Sequence, residues 1–337
     1  GSVFHAGRLS QLLVCLEGYK DSVNRTAVIT ADVVLSAPDI EKITVDPDFA
    51  YHRLMLDADF PEIYHAMLGG IKTGSFVPQL HGLEHLNAQA FAQLSQHNDP
   101  RIAAAIADPH GWSWESLDSP LQGHYVDGSH LPSQSISQEE AQTIIALATQ
   151  TFQNFFAYPS TSTVAPCYLW NSDIESIWQE HGIQIIQTAG YRCDGRDANA
   201  KYHQDRQLIR PGDLSGCGQV YLVRNVMYEP VDGRNTPDTA YREALSACAQ
   251  ALPVSISTHR YNYTRSEEEF HNALDGLDQL LTKIRKTLPD VRFVSSPELG
   301  AQILTANAMI INHFNDVQWP PLKPLSGIKK IAPFLNR

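Results

Sequence analysis

The stretch Ser75-Phe-Val-Pro-Gln-Leu-His81-Gly-Leu-Glu-His85-Leu-Asn87 decides how this chain is read. Its first six residues, Ser75 to Leu80, are apolar and β-capable, with Gly74 before them and Gly82 just after His81, so they read as a buried strand ending near His81. Two histidines spaced i, i+4 stand at the exit of that strand. If the chain turns into a helix there, His81 and His85 share one face about one turn apart, close enough for both imidazoles to reach one divalent ion, with Glu84 beside them. The plainer reading is a chance spacing in a chain with 14 histidines, each packed and hydrogen-bonded in the ordinary way.

Upstream, Leu9 to Lys20 has helical spacing, and Asp21 to Thr26 is a polar connection to a second strand, Ala27 to Leu35. Asp32 interrupts that strand. Alternation permits a place for it on the wet face, the ordinary expectation, or in a site at the strand's end. Ser36-Ala37-Pro38-Asp39 breaks the strand, and an acidic, aromatic segment of surface helix and loop runs through Asp57, Asp59 and Tyr64 to Gly69-Gly70.

Downstream, Asn87 to Ser95 and Arg101 to Ala107 read as short helices, followed by a loop insertion at 108–134 rich in Gly, Pro, Ser, His and Trp. Loops this long inside a compact domain are uncommon and often functional. This one carries Trp112, Trp114, His124, Tyr125 and His130, either as a platform for sugar rings or as anchors of the loop to the body. Gln138 to Phe156 is the next helix, with Glu139 and Glu140 placed in its first turn as the helix dipole prefers.

From there strand and helix alternate: Ser162 to Ala165 then Asp173 to His181, Ile183 to Gln187, Gln219 to Val223 then Pro237 to Ala251, Val254 to Ser257 then Ser266 to Leu288, and Val291 to Val294 then Ser296 to Thr305. Such alternation means an α/β fold with a mostly parallel sheet, open or closed into a barrel, whose function sits at the carboxyl ends of the strands. Those ends carry His81 and His85, then Pro166-Cys-Tyr168-Leu-Trp170-Asn171, then Arg224-Asn225, and finally His259-Arg260.

Composition bounds the rest. The chain has 337 residues, 43% of them hydrophobic, and is read as one domain over 1–337. Lys plus Arg number 25 against 37 Asp plus Glu, a net charge of −12 with no basic segment, which argues against nucleic acid as a partner. Five cysteines, Cys15, Cys167, Cys193, Cys217 and Cys248, show no C-x-x-C spacing, so reduced thiols and a cytoplasmic setting are favoured. No apolar stretch reaches the length of a membrane span, and no signal peptide is visible; Gly1-Ser2 reads as a cloning scar, with the native N-terminus open. There is no G-x-S-x-G elbow, P-loop or G-x-G-x-x-G. Cys167 with His259 as its base would make a nucleophile pair, against the plainer reading of a buried thiol.

Three motifs in order, His81-Gly-Leu-Glu-His85, Val164-Ala-Pro-Cys-Tyr-Leu-Trp170 and Ile256-Ser-Thr-His259, resemble the successive strand-end motifs of the polysaccharide deacetylase superfamily, in its bacterial polysaccharide (de)acetylase-like, glycoside hydrolase/deacetylase branch. The resemblance runs from about Leu9 to Leu304. It implies a distorted (β/α)7 barrel and a metal-dependent hydrolase that removes acetyl groups from an N- or O-acetylated polysaccharide or oligosaccharide. It further implies a divalent ion, zinc by preference, on His81, His85 and an Asp, with His259 as the acid that protonates the leaving group. Tyr168, Trp170, Trp112, Trp114, Arg224 and Glu84 would line the sugar site. The family's first strand ends in an Asp-Asp pair that has no counterpart here, so that strand lies upstream of Gly1, or Asp32 substitutes as ligand and base, or the metal site is degenerate. The family's arginine before the proline of the third motif is Ala165, which leaves Arg260 or Arg224 to hold any base. A glycosidase on the same barrel and a non-catalytic carbohydrate-binding protein are the rival readings; the oligomeric state is open.

Overall fold

Short β-branched runs bounded by glycine and polar residues build the centre of the molecule. A computed structural model of the chain describes residues 6–48, 50–107, 112–203 and 206–316. Five parallel strands form one sheet in which spatial order follows chain order: β1 (Ile29–Val33), β2 (Phe76–Leu80), β3 (Ser162–Thr163), β4 (Ile185–Thr188) and β5 (Val220–Val223). The chain then leaves the sheet through Arg224 and Asn225, and a second parallel pair follows, β6 (Val226–Met227) with β7 (Ile256–Ser257). The expected strand at Ser75 to Leu80 is therefore present, and β1, with Asp32 in register with Gln79, takes the place beside it. The expected strand at Val291 to Val294 does not form. Its Phe293 N–H is spent on the Asp21 carboxylate at 3.0 Å, and its Val291 N–H on the Leu288 carbonyl at 3.1 Å.

Helices α1 (Ala6–Glu17), α2 (Pro61–Thr73), α3 (Ala88–Gln96), α4 (Gln138–Phe156), α5 (Ser172–Glu180), α6 (Pro237–Ala249), α7 (Glu267–Thr287) and α8 (Ser296–Asp316) surround these strands. Their ends follow local chemistry. Ser137 caps α4 by accepting from the Glu140 N–H, and Ser266 with Glu269 forms a reciprocal capping box at the start of α7. α2 stops at Gly74, whose φ of +79° suits glycine and whose N–H meets the Gly70 and Ile71 carbonyls. α1 packs on α2 and α7, α4 on α5, and α8 against β4 and β5. The main core between helices and sheet is tiled by fully buried Phe152, Trp178, Tyr125, Tyr221 and Phe270. A smaller apolar cluster, with Ile43, Leu86, Phe91 and Leu117 buried in it, lies under the loop insertion. No helix among the described residues is long and apolar enough to cross a membrane.

Candidate functional site

The strand ends bring most of the sequence-derived residues into one neighbourhood, though not as a helix would. His81 follows β2 directly, but the segment from His81 to Asn87 is a turn, and α3 starts only at Ala88, where the Asn87 side chain caps it. Gly82, at φ +77°, makes that turn; a Cβ there would lie 2.8 Å from the His124 ring. The turn still leaves the His81 and His85 rings with centroids 5.0 Å apart.

The two imidazoles differ in their surroundings. His81 points Nδ1 at the Val164 carbonyl at 2.9 Å. Burial pushes it below its ordinary range against the opposing pull of Asp32. His85 is 5% exposed, lies face to face with Trp114 at 3.6 Å and 8°, and has no partner for its Nδ1. Burial, then the neighbouring His81, holds it well below the ordinary histidine range, so it is neutral near pH 7.

Asp32 faces into this neighbourhood and not to the wet face. Its Oδ2 receives Arg224 Nη2 at 2.5 Å and its Oδ1 receives Gln79 Nε2 at 2.7 Å. Burial alone would raise its pKa; the charges of Arg224 and His81 and the two hydrogen bonds outweigh that and hold the carboxyl below its usual range. Arg224 leaves the end of β5 and has a second hold: its Nη1 donates to the Tyr168 hydroxyl at 2.9 Å and to Ser257 Oγ at 3.4 Å. Burial works against its charge, but Asp32 overcomes this and raises the guanidinium further.

Ser257 closes β7, and two residues on stands His259. Its Nδ1 meets Glu229 Oε1 at 2.5 Å, and Asn262 Nδ2 donates to the other oxygen of Glu229. The His259 side chain is 44% exposed and that of Glu229 only 4%. With Nδ1 engaged by Glu229, the ring lines a cleft of about 340 Å³ together with Trp114, Glu115, Gln122, Tyr261 and Arg265. That volume lies in the range of small-ligand sites. Trp114 belongs to both halves, with one face on His85 and its surface on the cleft.

Other sequence-derived residues stand elsewhere. Arg260 pairs with Glu115 at 3.1 Å, tying the loop insertion to the end of β7; Arg224, not Arg260, holds Asp32. Trp170, 1% exposed, gives its indole N–H to buried Glu175 at 2.9 Å and belongs to the core, not to a sugar wall. Glu84, also 1% exposed, is bound by Arg53 and by Ser36 at 2.8 Å, so it cannot touch a ligand in the cleft. Trp112 meets Phe91 edge-on at 5.3 Å and anchors the loop; the loop's first four residues, 108–111, lie outside the described ones. Burial pushes the Cys167 thiol up to about 11, which leaves it no thiolate to attack with. Sequence reasoning missed Glu229, Gln79, Gln122, Glu115 and Tyr261. Glu229 alone carried a signal, a carboxylate two residues beyond the short apolar strand β6.

The donor set does not fit a three-ligand cation site as arranged. Two imidazoles are adjacent, but both Asp32 oxygens are engaged, and among the described residues no group of three or more His, Cys, Asp or Glu side chains could hold a metal ion.

No known family profile matches the chain, and no curated protein matches its sequence. Among solved structures, one from Mycobacterium smegmatis, provisionally assigned as a polysaccharide deacetylase, is similar to it at 12% identity with a TM-score of 0.35, covering 84% of this chain and 96% of that one.

Proposed function

We propose that this chain is a hydrolase that removes acetyl groups from an N- or O-acetylated oligosaccharide or polysaccharide, on a strand arrangement that closes as a distorted (β/α)7 barrel. One observation carries the reading: His259, held through Nδ1 by the buried Glu229 carboxylate, lines a cleft with Trp114 and Tyr261 at the carboxyl ends of parallel strands. An imidazole held through one nitrogen keeps the other for proton transfer, which suits protonation of a departing sugar amine or hydroxyl. Asp32 supplies the complementary group, an ionised carboxylate in β1 linked to the end of β7 through Arg224 and Ser257, to take the proton of the attacking water. The pull that keeps Asp32 ionised also makes it a weak base, so the reaction leans on the fixed positive charge beside it. Trp114 and Tyr261 add aromatic rings to the lining of the cleft, the class of side chain that packs on sugars.

Acetate release from N-acetylated chito-oligosaccharides and O-acetylated xylo-oligosaccharides tests the proposal. Parent protein is expected to release acetate, and His259→Ala to lower the rate by roughly 10²-fold or more. New reducing ends without acetate would mean a glycosidase; sugar binding without either product would mean a binding protein.

A further inference from the structure

The motif-based expectation puts a divalent ion against Asp32, and the residues around Asp32 do not fit one. Its two oxygens are held by different residues, Arg224 at 2.5 Å and Gln79 at 2.7 Å, so a cation would have to share an oxygen that already accepts a hydrogen bond and lie close to the guanidinium. Arg224 is not a loose surface side chain that swings aside. It is 10% exposed, its other nitrogen is tied to the Tyr168 hydroxyl at 2.9 Å, and its backbone N–H is fixed to the Thr188 carbonyl at 3.1 Å. Tyr168 is itself held in place by unusual backbone: Cys167 and Tyr168 are consecutive non-glycine residues at φ +57° and +55°. Such strain persists only where the surrounding structure imposes it. The guanidinium stays protonated at any working pH, so a divalent ion on Asp32 would sit beside a permanent like charge. The remaining donors are the two imidazoles, short of the three protein ligands a tetrahedral zinc site ordinarily uses.

We infer that Arg224 supplies, against Asp32, the fixed positive charge that a divalent ion would supply in a metal-dependent site, and that this site holds no resident divalent cation. Arg224 and a metal are alternatives for one carboxylate. The inference rests on the location of the site proposed above but not on turnover, so it is read from metal content and not from acetate release.

The full chain is loaded with excess Co²⁺, desalted, and measured by plasma mass spectrometry together with the visible absorption of bound Co²⁺. The parent is expected to retain no stoichiometric cobalt. Arg224→Met releases Asp32 and is expected to gain bound cobalt with a tetrahedral-type spectrum, which Arg224→Met combined with Asp32→Asn loses again. Arg224→Lys, which keeps the charge, is expected to stay metal-free. One cobalt per parent chain, abolished by His81→Ala, would overturn the inference. So would an Arg224→Met protein of unchanged circular dichroism that binds no more cobalt than the parent. Where Arg224→Met does not fold, the parent and Arg224→Lys still decide: both metal-free supports the inference, and stoichiometric metal in either refutes it.

Discussion

The two hydrogen-bonded side-chain pairs at the strand ends are built in opposite senses. In Asp32–Arg224 the cation is the better-covered partner, at 10% exposure against 24% for the carboxylate. In His259–Glu229 the carboxylate is covered, at 4%, and the imidazole stands 44% exposed. In each, the partner kept inside is fixed by a further hydrogen bond, Arg224 by Tyr168 and Glu229 by Asn262, while the group left accessible is the one able to exchange a proton. The difference teaches how one neighbourhood can supply both an acceptor and a donor: each pair spends its buried member on holding the other in place. Arg224 also links the pairs, since it reaches Ser257 at 3.4 Å, two residues before His259.

The largest expected effect tests whether the two pairs act as one unit. Asp32→Asn and His259→Gln are each expected to lower kcat for acetate release by roughly 10²–10⁴-fold. Residues that act as a unit are non-additive, so the double variant is expected to fall little below the worse single one. Losses that multiply would show that the pairs work independently and would break the comparison.

How much of this was legible follows from the range of each interaction. Most of the strands and their parallel pairing were readable because apolar runs between glycines and helical periodicities are local signals, as in Phe76–Leu80 or the α7 segment, whereas the same signal at Val291 to Val294 gave a strand that does not form. The orientation of Asp32 was not, because alternation allows either face and its partner is 192 positions away. Arg224 and Arg260 were equal candidates to hold a base for the same reason. The condition of a helix through His81 and His85 is not met, and two signals in the sequence bear on that: a glycine at position 82, and Asn87 as a cap at the start of the helix expected from there. Trp170 reads like a sugar platform in one dimension; only the fold shows that its indole N–H is spent on Glu175.

A smaller effect separates the turn that carries His81 from the chemistry of the pairs. Gly82→Ala forces a side chain to φ +77°, a cost of about 1–2 kcal/mol for an L-residue, and brings its Cβ to 2.8 Å from the His124 ring. The expected outcome in urea unfolding is a loss of at least that size, because the contact adds to the backbone term. Parent-like stability would mean that the turn relaxes freely and that the spacing of His81 and His85 is not imposed by it.

The smallest effect sharpens the contrast between the exposed His259 and the histidines locked inside. His124 is 2% exposed, faces the Leu86 carbonyl with Nδ1 at 2.8 Å, and accepts the Leu83 N–H at Nε2 at 3.4 Å. These partners require the neutral tautomer with its proton on Nδ1, and burial lowers its pKa from 6.5. With the folded pKa lowered, the unfolded chain takes up a proton near pH 6.5 while the folded one does not. Stability contributed by this group is therefore complete above pH 6.5 and falls as pH drops from there towards the folded pKa. One such histidine contributes a slope of at most about 1.4 kcal/mol per pH unit. Urea unfolding between about pH 5 and 6.5 is expected to show a shallower pH slope for His124→Gln than for the parent, by up to that one-proton amount. An unchanged slope would mean that His124 carries its proton in the folded state, and that the Leu83 N–H is not what holds the turn against it.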